Sequence, residues 1–195
     1  GLIAGLYEFD ECHIHLERLT QRGNFRFLQT SVIGANLKTK AIVLEDGSRL
    51  SYDVLSINTG STPPLANTPG ALVNVLPIKP IEDFLIGWKA MREQIAASDR
   101  ALCIALVGGG AGSVELALAM QHALQSSGAK ETRFEIVCDT PDILTTHNAY
   151  VRKTFRRILR QRGVAIHTNS RVVGVTDGRL ICEPGAAASC DFIIW

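Results

Sequence analysis

Ten consecutive residues carry the clearest chemical instruction in this 195-residue chain: Leu106-Val107-Gly108-Gly109-Gly110-Ala111-Gly112-Ser113-Val114-Glu115. Glycines let a backbone approach a bulky anion closely, because no Cβ stands in the way. Gly108 permits a tight turn, and Gly110 allows contact with a pyrophosphate. Gly109, Ala111 and Gly112 keep the rest of the turn small. Ser113, at the third small position, lets the following helix pack against the preceding strand. The apolar run Ala101 to Val107 lies before the turn, and the helix formers Val114 to Gln125 lie after it. A strand, a glycine turn and a helix make the first half of a dinucleotide-binding βαβ unit. The helix start offers unpaired N–H groups and a positive dipole end to the phosphates. A glycine-rich turn that binds nothing is the alternative, and the flanking elements favour the dinucleotide.

A second candidate is Asp139, at the end of the next strand of the unit. A carboxylate there accepts hydrogen bonds from the ribose of NAD(H) and repels the 2′-phosphate of NADP(H). The strand pattern puts Cys138 at the expected position and Asp139 one beyond it. An ordinary turn, Asp139-Thr140-Pro141-Asp142, is the other reading. The five histidines, His13, His15, His122, His147 and His167, show no metal-ligand spacing. Arg152, Lys153, Arg156, Arg157 and Arg160 mostly avoid the apolar stripe Val151, Phe155, Ile158 and Leu159. That pattern marks a solvated helix face and not a nucleic-acid surface.

Stepping from these residues to the elements that hold them, the chain alternates after residue 80. A helix is expected from Pro80 or Ile81 to about Ser98, with Ile81, Phe84, Leu85, Trp88, Met91 and Ile95 on one face. Then follow strand Leu102–Val107, helix Gly112–Ser126, strand Phe134–Cys138, helix Asn148–Arg162 closed by Gly163, and strand Val164–His167. Strands Arg171–Thr176 and Arg179–Cys182 flank the turn Asp177-Gly178, and an apolar strand runs from Cys190 to Trp195. Gly185–Ser189 reads as a turn. This order predicts an α/β, Rossmann-like parallel sheet with flanking helices and a β-meander.

Residues 1 to 62 read as mainly β. Phe25–Leu28, Val32–Leu37 and Ala41–Leu44 are strand candidates, and Glu45-Asp46-Gly47-Ser48 is a hairpin turn returning through Arg49–Tyr52. Val54–Asn58, a continuous apolar run, has the composition of a strand buried on both faces. Pro63 to Gly70 is the best linker candidate.

Composition excludes little: 46% of residues are hydrophobic and the formal net charge is +1. That balance gives no reason to expect nucleic acid as a partner. No apolar run has the length of a transmembrane segment. The five cysteines, Cys12, Cys103, Cys138, Cys182 and Cys190, form no C-x-x-C pair. Scattered thiols in odd number suit a reducing, cytoplasmic compartment. Both ends read as internal text, and the chain is expected to be a segment of something longer.

Three stretches, in order, carry a family resemblance. Tyr52-Asp53-Val54-Leu55-Ser56-Ile57-Asn58-Thr59-Gly60-Ser61 is similar to a strand ending in Ala-Thr-Gly-Ser beside FAD. Val107 to Glu115 is similar to an NAD(P)-binding turn Val-Gly-Gly-Gly-x-x-Gly-Val-Glu. Cys190 to Trp195 is similar to the strand before a second Ala-Thr-Gly. The chain thus resembles the pyridine nucleotide-disulfide oxidoreductase superfamily, the flavoproteins with two dinucleotide-binding domains. Gly5-Leu6-Tyr7 and Asp10 to Leu16 are closest to its NADH dehydrogenase-like branch, which includes a module fused to selenophosphate synthetases.

The resemblance implies part of an FAD-binding domain over 1–75 and an NAD(P)-binding domain over 76–195. It implies contacts to FAD from Thr59 and Gly60 and a place near the nicotinamide for Glu115. Glu115 also reads simply as an acid at a helix start. Hydride transfer from NAD(P)H to flavin and on to an unidentified acceptor is the activity it implies for the complete protein. A homodimer is the assembly, with a location in the cytoplasm or against the inner membrane face. Upstream and downstream FAD contacts would be missing here, so the segment alone is expected to be colourless and inactive. A nucleotide-sensing module, or a degenerate Rossmann-like domain without turnover, remains the alternative.

Overall fold

The computed structural model describes residues 1–195 apart from 62, 64, 129, 130, 184 and 186. It forms two compact units: Asp10–Gly60, and Gly1–Phe9 together with Ser61–Trp195.

A helical turn, α1 (Phe9–Cys12), precedes the short helix α2 (Leu16–Thr20). The smaller unit then forms a three-stranded antiparallel sheet from β1 (Val32–Asn36), β2 (Ala41–Leu44) and β3 (Arg49–Ser51). The hairpin is where the Asp-Gly turn predicts it: Asp46 Oδ1 accepts the Ser48 N–H at 2.8 Å, and Gly47 takes φ +81°. Two expected strands are absent. Phe25–Leu28 and Val54–Asn58 are irregular, with Val54 88% and Ile57 71% exposed. Apolar composition alone does not make a strand, because its N–H and C=O groups need a neighbouring ladder.

The larger unit opens with a helical turn, Leu65–Asn67, and α3 (Ala71–Asn74). The expected linker is therefore partly ordered: Leu65 is buried and packs with Ala71 and Val75. Residue 64 of that stretch lies outside the described residues. The amphipathic helix α4 (Ile81–Ala97) follows Pro80 and buries Phe84, Trp88, Met91 and Ile95, four of the six apolar positions read from the sequence. Next come β4 (Cys103–Val107), α5 (Ala111–Ser126), β5 (Arg133–Val137), α6 (Ala149–Gln161) and β6 (Ala165–His167). The Asn148 side chain caps α6 by accepting the Val151 N–H at 3.0 Å, and Gly163 ends it at φ +71°. An antiparallel meander of β7 (Arg171–Thr176), β8 (Arg179–Glu183) and β9 (Ala187–Ser189) leads to β10 (Phe192–Ile194). Residues 187–189 are thus a strand paired with β8, not a turn, and residue 186 is outside the described set.

The central sheet is parallel, in the order β10-β4-β5-β6. Its side-chain alternation divides the unit into three layers. Ile104, Leu106, Phe134 and Ile136 face the helices and pack with Phe84, Trp88 and Met120. Cys103, Ala105 and Val137 face the other way, against Val175, Leu180 and Cys182 of the meander. Each fully buried large side chain contributes about 1.5–3 kcal/mol, so two such layers hold the strand ends rigidly. Strand order reverses at β4 while all strands stay parallel, since β5 lies on one side of β4 and the last strand on the other. In open α/β sheets a crevice forms outside the carboxyl ends of the strands at that switch.

Candidate functional site

The glycine turn sits at the switch. Gly108 takes φ +108°, a conformation that disfavours any side chain, and its N–H donates to Val137 O at 2.8 Å. The Gly109 carbonyl accepts the Leu144 N–H at 2.6 Å. The turn is thereby fastened to the end of β5 and to the loop beyond it. A Cβ on Gly109 would lie 2.9 Å from Cys138 Sγ, so this glycine serves packing. Gly110 and Gly112 differ: nothing lies within 4 Å of a Cβ built on either. Their open side is the side a ligand would use.

Helix α5 starts at Ala111 with Gly110 as its cap and no capping side chain. Its first-turn N–H groups, including those of Ala111, Gly112 and Ser113, have no intrahelical carbonyl to meet. Ser113 is small enough that its Oγ reaches back 3.5 Å to Val107 O. Together these features make a cradle for phosphate oxygens, formed by backbone donors and a positive dipole end.

Two cavities flank the turn. One, of about 470 Å³, is lined at the ends of β4 and β5 by Val107, Gly108, Cys138 and Asp139, and on its other walls by Thr68, Arg171 and Trp195. Its size lies within the range of about 300–1,000 Å³ usual for ligand sites. The other, of about 170 Å³, is lined by Ile78, Gly110, Gly112, Ser113, Leu116 and Trp195. Trp195 belongs to both. Its position is set by backbone: Trp195 N–H donates to Leu76 O at 3.1 Å, and Ile78 N–H donates to Trp195 O at 2.9 Å.

The turn after β5 separates Cys138 from Asp139. Cys138 is buried beneath Gly109, whereas Asp139 is the first exposed residue past the strand. Its backbone neighbours are braced, with Cys138 N–H donating to His167 O at 2.9 Å and Thr140 Oγ1 to Asp142 O at 2.8 Å. Asp142 in turn holds Arg156 of α6 through a 2.5 Å contact. A free carboxylate on a braced turn is well placed to receive hydroxyl groups.

The structure brings Gly108, Gly110, Gly112, Ser113 and Asp139 to these cavities. Glu115 is exposed, just past the first turn of α5, and does not line either cavity. Thr59 and Gly60 close the smaller unit, where Gly60 takes φ +75°. Sequence reasoning missed Thr68, Arg171 and Ile78, and it read Trp195 only as the end of a strand. The one signal for them was their place beside loops at the carboxyl edge of a parallel sheet. No group of three His, Cys, Asp or Glu residues able to hold a metal exists among the described residues. No helix among them is long and apolar enough to cross a membrane.

Comparison with known proteins agrees with this geometry. The chain is 27% identical over 154 residues to demethylphylloquinone reductase NdbB of Synechocystis sp., covering 77% of this chain and 37% of that protein. Sulfide:quinone oxidoreductase from Aquifex aeolicus superposes with a TM-score of 0.81 at 17% identity, covering 99% of this chain and 47% of that one. NDH2 from Plasmodium falciparum, solved in complex with NADH, gives a TM-score of 0.73 at 19% identity, over 86% of this chain and 40% of that one. The chain therefore spans less than half the length of each of these three proteins. A family model described as pyridine nucleotide-disulphide oxidoreductase matches residues 7–195. With nearly the whole chain matched, and a parallel sheet carrying its glycine turn at the switch between strands, this protein belongs to the pyridine nucleotide-disulphide oxidoreductase family.

Proposed function

We propose that residues 76–195 are the NAD(P)-binding domain of an FAD-dependent NAD(P)H oxidoreductase, and that residues 1–75 contribute part of its FAD-binding domain. The observation that carries this reading is the open space over Gly110 and Gly112 at the uncapped start of α5. A pyrophosphate fits there, held by N–H groups of Ala111, Gly112 and Ser113. Asp139 then accepts hydrogen bonds from the adenine-side ribose, which favours NADH. Trp195 and Ile78 border the route toward the nicotinamide end. Thr59 and Gly60 supply backbone contacts to the flavin nucleotide.

When bound, the nicotinamide and flavin supply the hydride chemistry. This chain's share is to bind, orient and keep the dinucleotide against the strand ends. The similarity to a demethylphylloquinone reductase supports a quinone as the class of electron acceptor. No disulfide joins the described cysteines.

Calorimetric titration with NADH tests the reading directly. Saturable binding is expected, and Gly110→Val should abolish it while the variant still unfolds cooperatively. Failure of the parent chain to saturate would mark the domain as degenerate.

A further inference from the structure

The larger cavity holds two opposite charges that do not pair. Asp139 and Arg171 both line it, and both are exposed. Ion pairs and histidine–carboxylate contacts in the structure include His15 with Asp10, Arg100 with Asp191, Arg156 with Asp142 and His167 with Glu135. Neither Asp139 nor Arg171 takes part in one. Backbone bonds nevertheless clamp their two segments together. Ser170 N–H donates to Cys138 O at 2.8 Å, and Asn169 N–H donates to Thr140 O at 2.9 Å. The residues on either side of Asp139 are thus tied to the two residues before Arg171. Arg171 itself opens β7, paired through its Cα with Glu183 of β8. Its backbone is fixed by the ladder, while the residue is exposed and lines the cavity.

We infer that Arg171 is a specificity-determining residue at the adenine-ribose end, offering its guanidinium to a phosphate monoester on the ribose 2′-oxygen. The inference rests on the dinucleotide reading above. Asp139 accepts hydrogen bonds from a free ribose diol and repels a phosphate dianion. Arg171, on the adjoining segment, presents a fork of donors that matches phosphate oxygens and offsets part of that repulsion. The pair makes the site tolerant: NADH binds better, and NADPH still binds. Without Arg171 only the repulsion remains.

Titration of the full chain with NADH and with NADPH tests this. The parent should saturate with both, NADH more tightly. Arg171→Gln should raise the Kd for NADPH about tenfold and that for NADH less than about twofold, the loss of one charge-assisted contact. Arg171→Lys should recover part of the NADPH affinity. Added salt should weaken NADPH more than NADH in the parent, and this difference should shrink in Arg171→Gln. Equal weakening of both cofactors would overturn the assignment, since Arg171 would then hold a group they share. So would unchanged affinities. If the parent saturates with neither cofactor, the dinucleotide reading falls first and this inference with it. Saturation with NADH beside an inert Arg171→Gln removes the inference alone. The exposed position lets a melting curve confirm that each variant is folded.

Discussion

Gly109 and Cys138 are packed so closely that a single added methyl would place carbon 2.9 Å from the thiol sulfur and 3.0 Å from its Cβ. The end of β5 and the glycine turn therefore meet as one unit. Gly109→Ala must push them apart, and overpacking of this kind costs about 1–3 kcal/mol. A clear fall in Tm is expected. Gly112→Ala is the control: it faces open space inside a helix, so it should hold or raise stability by about 0.5–1 kcal/mol. Equal melting curves for the two variants would show that the contact is not tight.

Asp139 is expected to hold the ribose hydroxyls of NADH. A hydrogen bond to a charged group is worth about 1.5–3 kcal/mol, so Asp139→Ala should weaken NADH by about ten- to a hundredfold. The same change should leave NADPH unchanged or tighten it, because the repulsion of its 2′-phosphate goes with the carboxylate. Calorimetry on both cofactors reads the difference, and a variant that binds NADH as the parent does would remove Asp139 from the site.

Trp195 should report binding. It borders both cavities, while Trp88, the other tryptophan, is 4% exposed within the core. A reduced nicotinamide absorbs where tryptophan emits, so NADH should quench fluorescence. Trp195→Phe should abolish most of that quenching. Quenching that survives intact in this variant would place the nicotinamide elsewhere.

The thiols should divide sharply in reactivity. Cys12 is exposed, whereas Cys103, Cys138, Cys182 and Cys190 are buried. Burial, with the nearby Glu135 charge, pushes the Cys103 thiol up to about 12, and burial pushes Cys190 to about 11. Raised values keep the proton on through neutral and mildly alkaline pH, so the reactive thiolate is scarce. A disulfide reagent should modify one thiol of the five rapidly in the native chain and the rest only after denaturation. Fast modification of Cys103 would contradict the packing.

Asp191 ties β10 to β4 and gives stability a defined acid limb. The hydrogen bond from Arg100 holds its carboxyl below the usual range, and the Cys103 N–H donates to it at 2.8 Å. A lowered folded value means the stabilisation is present above the ordinary carboxylate range and lost as pH falls through the lowered one. Arg100 is 67% exposed, which discounts the ion pair itself. Asp191→Asn should then cost about 1 kcal/mol at neutral pH, or about 2–4 °C in Tm, and flatten the acid limb. An unchanged acid limb would exclude Asp191 as its source.

Local pattern determined much of this protein. Helical spacing of Phe84, Trp88, Met91 and Ile95 predicts α4, and the alternation from Leu102 to His167 predicts a parallel sheet with its glycine turn at a helix start. These elements are legible because their hydrogen bonds, caps and buried faces depend on neighbours a few residues away. Strand pairing is not local. Val54–Asn58 has the composition of a buried strand and is exposed, while residues 187–189 read as a turn and form β9 because β8 lies alongside. The tertiary structure also divided the glycines, setting Gly109 against Cys138 and leaving Gly110 and Gly112 open. It brought Thr68, Asp139, Arg171 and Trp195, far apart in the chain, to one cavity. Such convergence depends on which strands are neighbours and which way their ends point, a property of packing that no single stretch of sequence contains.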